Sequence, residues 1–193
     1  MVQTTTEFRP ELPYKCWTVE DYHQMITTGI LTTDDRVELL SGQIVEIVPQ
    51  EPPHASNVSS FNTDLVVRFA SLALVRTQLP ITISPNSEPE PDLALVRIDP
   101  QYYRERHPTP EDVFLLIEIA DSTLKRDCIY KAQIYAEAGI LEYWVVDVKQ
   151  RQVIVYRQPQ GNIYQSEQIL SITDQIAPLA FPEVMINFKN VLV

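Results

Sequence analysis

"DVFLLIEIADSTLKRDCIYKAQIYAEAGILEYWVVDV" (residues 112–148) places three elements in succession. The first, "DVFLLIEIA", is apolar at both alternations except at Glu118. A strand with no polar face sits in the middle of a sheet and is covered on both sides. The second, "DSTLKRDCIYKAQIYAEAG", reads as a helix. Asp121 or Ser122 can cap it, Gly139 can close it, and Leu124, Cys128, Ala132, Tyr135 and Ala136 form an inner stripe. The third, "EYWVVDV", is a strand again. Strands interleaved with helices in this way predict an α/β or α+β domain around a central mixed β-sheet flanked by helices.

Outward from this core the same reading continues in both directions. "RQVIVYRQ" (151–158) follows the turn at Lys149-Gln150 and pairs with the preceding strand, and "GNIYQSEQIL" (161–170) adds a small strand. Upstream, "ITIS" (81–84) and "DLALV" (92–96) read as short strands. From Ser56 to about Arg76, Val58, Phe61, Leu65, Phe69 and Leu72 step by three or four, which is one face of a helix. "RVELLSGQIVEIVP" (36–49) reads as a hairpin turning at Ser41-Gly42, with Glu38 on its first arm. "WTVEDYHQMITTG" (17–29) reads as an N-terminal helix capped by Thr18 with Asp21 and ended by Gly29. Residues 1–12 read as a loose arm. With no repeat and no linker, one domain over residues 1–193 is expected.

Composition narrows the function classes. The chain is 45% apolar and 21% charged, an ordinary balance for a globular protein. A formal net charge of −11 argues against non-specific attachment to phosphate backbones. The acid is unevenly spread, however: Arg97–Lys131 holds six basic residues against seven acidic ones. Two cysteines, Cys16 and Cys128, make neither a metal spacing nor a disulfide framework and suit reduced thiols in a cytoplasmic protein. The three histidines and two cysteines make a zinc centre a poor fit, and no Gly-x-Ser-x-Gly elbow, His-Glu-x-x-His helix or phosphate-cradling glycine loop is present. "LVVRFASLALV" is too short and too interrupted for a membrane span.

The carboxylates carry the chemical signal. Asp92 stands at the mouth of the "DLALV" strand and Glu118 lies near the end of the next. On neighbouring strands they would converge at one edge of the sheet, repelling one another at a cost of several kcal/mol per buried ion. A divalent cation would offset that, since Mg2+ takes oxygen from one or two carboxylates and keeps water and phosphate oxygens for the rest. Lys131, on the following helix, can reach back toward the end of the strand and offset charge on a phosphate. Bland readings stand beside these: Asp92 suits a strand-entry turn, and Lys131 suits an i,i+4 pair with Asp127 on a solvated face. Glu88 and Glu90 read as surface acids.

"PEPDLALV", the 114–159 segment and the upstream "RVELLSGQIVEI…PPH" resemble the Uma-type restriction endonuclease family of the PD-(D/E)XK nuclease superfamily, from about Asp35 to Pro159. The resemblance implies a restriction-endonuclease-like core, and a metal-dependent site in which Asp92 and Glu118 hold Mg2+, with Mn2+ as substitute. The usual strand lysine is absent, because the strand reads Glu118-Ile119-Ala120, and the resemblance puts Lys131 in its place. Glu38 is implied as a further acid. His54 matches a family position and suits a hydrogen bond at the helix start better than catalysis, while Tyr135 and Trp144 are expected to pack around the site. DNA is the implied partner. A homodimer is expected, because two copies most simply cut both strands of a duplex. The alternative is a non-catalytic binding or assembly module that keeps the nuclease fold. "RIDPQYYRERHPTPED" (97–112) reads either as a substrate-facing loop or as a solvated connection.

Overall fold

A computed structural model describes residues 15–192; the expected N-terminal arm lies outside the described residues. The central strand of the 112–148 segment is β5 (Val113–Ala120), and the closing strand is β6 (Glu142–Asp147). They lie parallel, with Glu118 beside Val145, and are the one parallel pair in a six-stranded sheet. A parallel pair needs a crossover. Here the crossover is a continuous helical segment: π-helical turns over Arg126–Lys131 followed by α3 (Ala132–Glu137).

Every other neighbour is antiparallel. The sheet runs β3 (Leu74–Thr77), β4 (Leu93–Val96), β5, β6, β7 (Gln152–Gln160), β8 (Ile163–Ser171). Both faces are covered, as the apolar runs require. On one face α2 (Pro52–Phe69) lays Phe61, Leu65 and Phe69 against Leu93, Leu115, Ile117 and Trp144. On the other, the crossover helix lays Ala132, Ile134 and Tyr135 against Ala94, Leu116, Tyr143 and Val145. Near the C-terminus β9 (Gln175–Ile176) pairs with β10 (Ile186–Asn187), and α4 (Phe188–Val191) sends Phe188 into the α2 side of the core.

The N-terminal elements form as the sequence predicts. α1 (Val19–Thr27) opens on Thr18, whose hydroxyl accepts from Asp21 N at 3.1 Å while Asp21 accepts from Thr18 N at 3.0 Å. β1 (Val37–Leu40) and β2 (Gln43–Glu46) form the hairpin, turning at Ser41 and Gly42 with φ of 48° and 79°. A side chain at Gly42 would meet Cys16 at 2.6 Å, so glycine is required for the close approach as well as for the turn.

Three expectations are corrected. The long helix ends at Phe69, and Leu74–Thr77 is the edge strand β3. The helical spacing of Leu72 is overridden because pairing with β4 satisfies the backbone of 74–77. "ITIS" is not a sheet strand: Ile81 and Ile83 supply the core, but their backbone is held by Pro89 and Ser87 of the returning loop. Neither Asp121 nor Ser122 caps the crossover helix; the Thr123 hydroxyl instead donates to Asp127 at 2.5 Å. No helix among the described residues is long and apolar enough to cross a membrane.

Candidate active site

Asp92 stands where β4 begins, and its position answers a backbone need. Leu93 pairs with Ile117, so the next inward-facing amide of β5, on Ile119, lies past the end of β4 and opposite a proline. The Asp92 carboxylate supplies the missing acceptor: Ile119 N donates to Oδ2 at 2.8 Å. The strand-entry reading of Asp92 thus has its physical reason, and the same carboxylate lines the cleft described below. Gln78 just past β3 donates to Oδ1 at 3.1 Å, and His54 Nε2 lies 3.1 Å from Oδ2.

Glu118 is the nearest acid on β5. Its Oε2 accepts only a long 3.4 Å contact from Asp92 N, while Oε1 accepts from Lys131 Nζ at 2.8 Å and from the Tyr135 hydroxyl at 3.1 Å. Lys131 also meets Glu38 Oε2 at 3.0 Å. It is buried, and its ammonium turns inward rather than lying along a solvated face. The expected i,i+4 pair with Asp127 does not form because the segment Arg126–Lys131 is π-helical, which changes the spacing of residues around the turn.

The hairpin brings in Glu38. β1 is laced to the 86–90 segment by Glu88 N to Leu39 O at 2.7 Å and Gly42 N to Asn86 O at 2.6 Å. Glu38 is therefore set against Glu90, whose amide donates to Glu38 Oε2 at 3.0 Å. Glu38 Oε1, also buried, has no hydrogen-bond partner among the described residues. One cleft is lined by Glu38, His54, Gln78, Glu90, Asp92, Glu118, Asp127 and Lys131.

Electrostatics follow from burial and count. Burial pushes the Glu118 carboxyl up to about 8, against the pull of Lys131 and with help from Asp92 and Asp127. Burial also opposes the Lys131 ammonium, but Glu118, Glu38 and Asp127 outweigh it and hold its pKa above the ordinary range. Lys131 therefore stays charged, while the raised Glu118 carboxyl keeps its proton into the neutral range. Burial would raise Asp92, but the bonds from His54, Ile119 N and Gln78 bring it below the usual carboxylate range. His54 is lifted above its ordinary value: burial lowers it, and the bond to Asp92 more than compensates.

The placements correct several expectations. Asp92, Glu118, Lys131, Glu38, His54 and Tyr135 converge. His54 does not bond its own helix start; it bonds Asp92, and its Nδ1 has no partner. Trp144 is not at the site. It faces the α2 side, packs edge-on to Phe188 and donates to Glu142. Glu88 is no surface acid: it is buried, lies 2.8 Å from His23 and accepts from the Thr82 hydroxyl at 2.7 Å. Glu90 is half-buried at the cleft, with burial and then Glu38 raising its carboxyl. Sequence reasoning missed Gln78 and Glu90. Gln78 carries no signal because its φ of 51° and its reach to Asp92 depend on the register of β3. Glu90 did carry one, two residues ahead of Asp92 on a proline-stiffened segment.

A divalent cation can be tested against these donors. Glu118 Oε2 and Asp92 Oδ1 each accept a single contact, so each keeps an open lone-pair site, and Glu38 Oε1 keeps both. Among the described residues no three His, Cys, Asp or Glu side chains form a cage for an ion by themselves. That donor set suits Mg2+, which completes its shell with water and phosphate oxygens, rather than a metal needing an all-protein cage.

Comparison with known proteins follows this geometry. The family model Uma2, described as "Putative restriction endonuclease", matches residues 19–189. The chain belongs to the Uma2 family. A crystal structure of a "putative nuclease belonging to DUF820" from Anabaena variabilis ATCC 29413 is similar over 91% of this chain and 97% of its own, at 16% identity and a TM-score of 0.68. At that identity the likeness is one of fold. No curated protein matches. The Uma2 match spans every residue of the cleft, from the hairpin through the crossover helix.

Proposed function

We propose that this Uma2 protein is a metal-dependent endonuclease that hydrolyses DNA phosphodiester bonds. The observation that carries the reading is the surplus of buried carboxylates around one lysine: Glu38, Asp92 and Glu118 line a cleft open to solvent beside Lys131. Asp92 and Glu118 would hold Mg2+ or Mn2+. When bound, the ion supplies positive charge against the phosphate and makes water a stronger nucleophile.

The chain's own residues do the rest. Lys131, fixed from two sides, presents a preorganised positive charge to a phosphate as negative charge develops on it. Tyr135 donates to Glu118 Oε1 and so leaves Oε2 facing the cleft. His54 and Ile119 N hold Asp92 Oδ2, and Oδ1, which accepts from Gln78, keeps one acceptor site. The unpartnered Glu38 Oε1 can accept a hydrogen bond from an attacking water. Two copies would serve two strands of a duplex.

The test is nicking or linearisation of supercoiled DNA with Mg2+ and with Mn2+. Cleavage by the wild type and its loss in Glu118→Gln are expected; no cleavage across single-stranded, duplex and branched DNA would contradict the reading. The acidic net charge and the absent strand lysine favour instead a fold kept for binding or assembly. That reading expects no cleavage by either protein and unchanged partner binding in Asp92→Asn.

A further inference from the structure

Arg76 stands out among the buried ionic groups because its charge has no counter-charge. It is the third residue of β3 and only 7% exposed. Arg68, Arg106 and Arg157 each meet a carboxylate, at 2.6, 2.7 and 2.5 Å. Arg76 forms no ion pair with any described acid. Among the described residues its Nη2 donates only a long 3.4 Å bond to Pro80 O, and its buried Nε has no partner. Burial lowers its pKa, and the one group that acts against this is Tyr103. A guanidinium taken out of water without an anion is among the costlier features a fold can keep.

Its surroundings are aromatic and of mixed charge, with Asp112 already paired to Arg106 and Glu88 acting on His107. The Arg76 guanidinium lies 5.6 Å from the Tyr103 ring, and Arg106 lies 5.3 Å from the same ring. His107 is half-buried nearby and held below its ordinary value, first by burial and also by Arg76. Tyr103 is anchored by its hydroxyl to Arg97 O at 2.8 Å, while Tyr102 beside it is 74% exposed. Both tyrosines sit in the left-handed region, with φ of 55° and 58°, uncommon for bulky side chains.

Register places Arg76 on the same sheet face as Glu118. Arg76 is the cross-strand partner of Ala94, and Ala94 is the partner of Leu116. Cross-strand partners share a face, and so do residues two apart. Arg76 therefore lies on the Glu118 face, two strands across and two residues along, about 12 Å between backbones at ordinary sheet spacings.

We propose that Arg76 is an anion-binding residue that receives a backbone phosphate of nucleic acid next to the carboxylate site, with Tyr102 offering a ring on which a base can stack. The identity of the anion rests on the DNA reading above. An arginine fork matches phosphate geometry, and base–aromatic stacking is tolerant of sequence.

The experiment measures binding of a fluorescent single strand and its duplex by anisotropy, in EDTA and in Ca2+, across a salt series, with melting temperature recorded on the same proteins. Arg76→Met is expected to bind about tenfold more weakly, with the salt slope reduced by about one. Its melting temperature is expected to be unchanged or raised, because an uncompensated buried charge has been replaced by an apolar side chain of similar length. Arg76→Lys, which keeps the charge and loses the fork, is expected to keep the salt slope and lose affinity only severalfold. Unchanged DNA affinity in folded Arg76→Met would overturn the proposal. So would failure of Arg76→Met to fold, together with wild-type affinity in Arg76→Lys, since the charge would then serve the fold alone. A shift with inorganic phosphate but none with DNA would overturn the nucleic-acid assignment. Wild type that binds DNA through Arg76 without cutting it would leave this proposal standing and remove the nuclease reading.

Discussion

Two glutamates are buried in this sheet, each beside a cation, and only one of them belongs to an open cleft. Glu142 on β6 is closed on every side. Arg157 donates to Oε1 from Nε at 2.8 Å and from Nη2 at 2.5 Å, Trp144 Nε1 donates at 2.9 Å, and Leu179 N donates to Oε2 at 2.6 Å. Glu118 on β5 shares its lysine with Glu38, accepts only a long contact at Oε2 and faces solvent through the cleft. Both are desolvated; Glu142 accepts four short hydrogen bonds, whereas Glu118 accepts two short ones and one long one. The difference shows how to tell an ion pair that holds a fold from one that waits for a ligand: by the quality of the bonds its acceptors receive and by whether it lines a cleft, not by burial.

The largest effect separating the two is catalytic. Glu118→Gln is expected to lower metal-dependent cleavage by about a thousandfold while the protein stays folded, because Lys131 keeps Glu38 as a partner. Cleavage kinetics beside a thermal melt checks both halves. Equal cleavage by the variant would break the comparison. Arg157→Met is expected to do the reverse: it strips the cation from Glu142, costs about 3–5 kcal/mol of stability, and leaves cleavage intact well below the melting transition. Chemical denaturation measures the cost.

Lys131→Met should affect both properties. It leaves Glu38 and Glu118 facing each other with no ammonium between them, so cleavage falls and stability drops by about 3–5 kcal/mol. Added Mn2+ is expected to restore part of the stability, which the corresponding Glu142 lesion would not show.

A smaller effect is expected from pH. The Glu118 carboxyl is raised from an ordinary value near 4.5 to about 8, so the folded state holds a proton that the unfolded chain releases. Without metal this group destabilises the fold progressively as pH rises from about 4.5 to 8. A cation bound at the proposed site would replace that proton. The rise in melting temperature caused by Mg2+ should therefore be larger at pH 8 than at pH 6. His54 and Asp92 act in opposite senses. The raised His54 contributes stability that is present below its ordinary pKa and lost as pH climbs through its folded value; the lowered Asp92 contributes stability present above its ordinary value and lost on acidification.

Much of this is legible in the sequence. Glu118 could be singled out because a lone acid in "FLLIEIA" breaks an otherwise apolar strand, and the capping box and Gly42 marked the N-terminal elements. Asp92 was legible as a strand mouth, but its bond to Ile119 N was not, since that depends on where β4 stops against β5. Glu142 was not distinguishable from a surface acid, because Arg157 and Leu179 reach it from other elements. The π-helical turns that aim Lys131 inward follow from packing on the sheet, and propensity predicts only an ordinary helix there. Strand β3 was hidden by helical spacing that ran on past Phe69.

Diffraction from crystals soaked in Mn2+, recorded at the manganese edge, tests the site most directly. A manganese peak within coordination distance of the Asp92 and Glu118 carboxylates, with Lys131 still beside Glu38, is the expected result. Manganese absent from that cleft at saturating concentration, with both carboxylates bonded as described above, would contradict it.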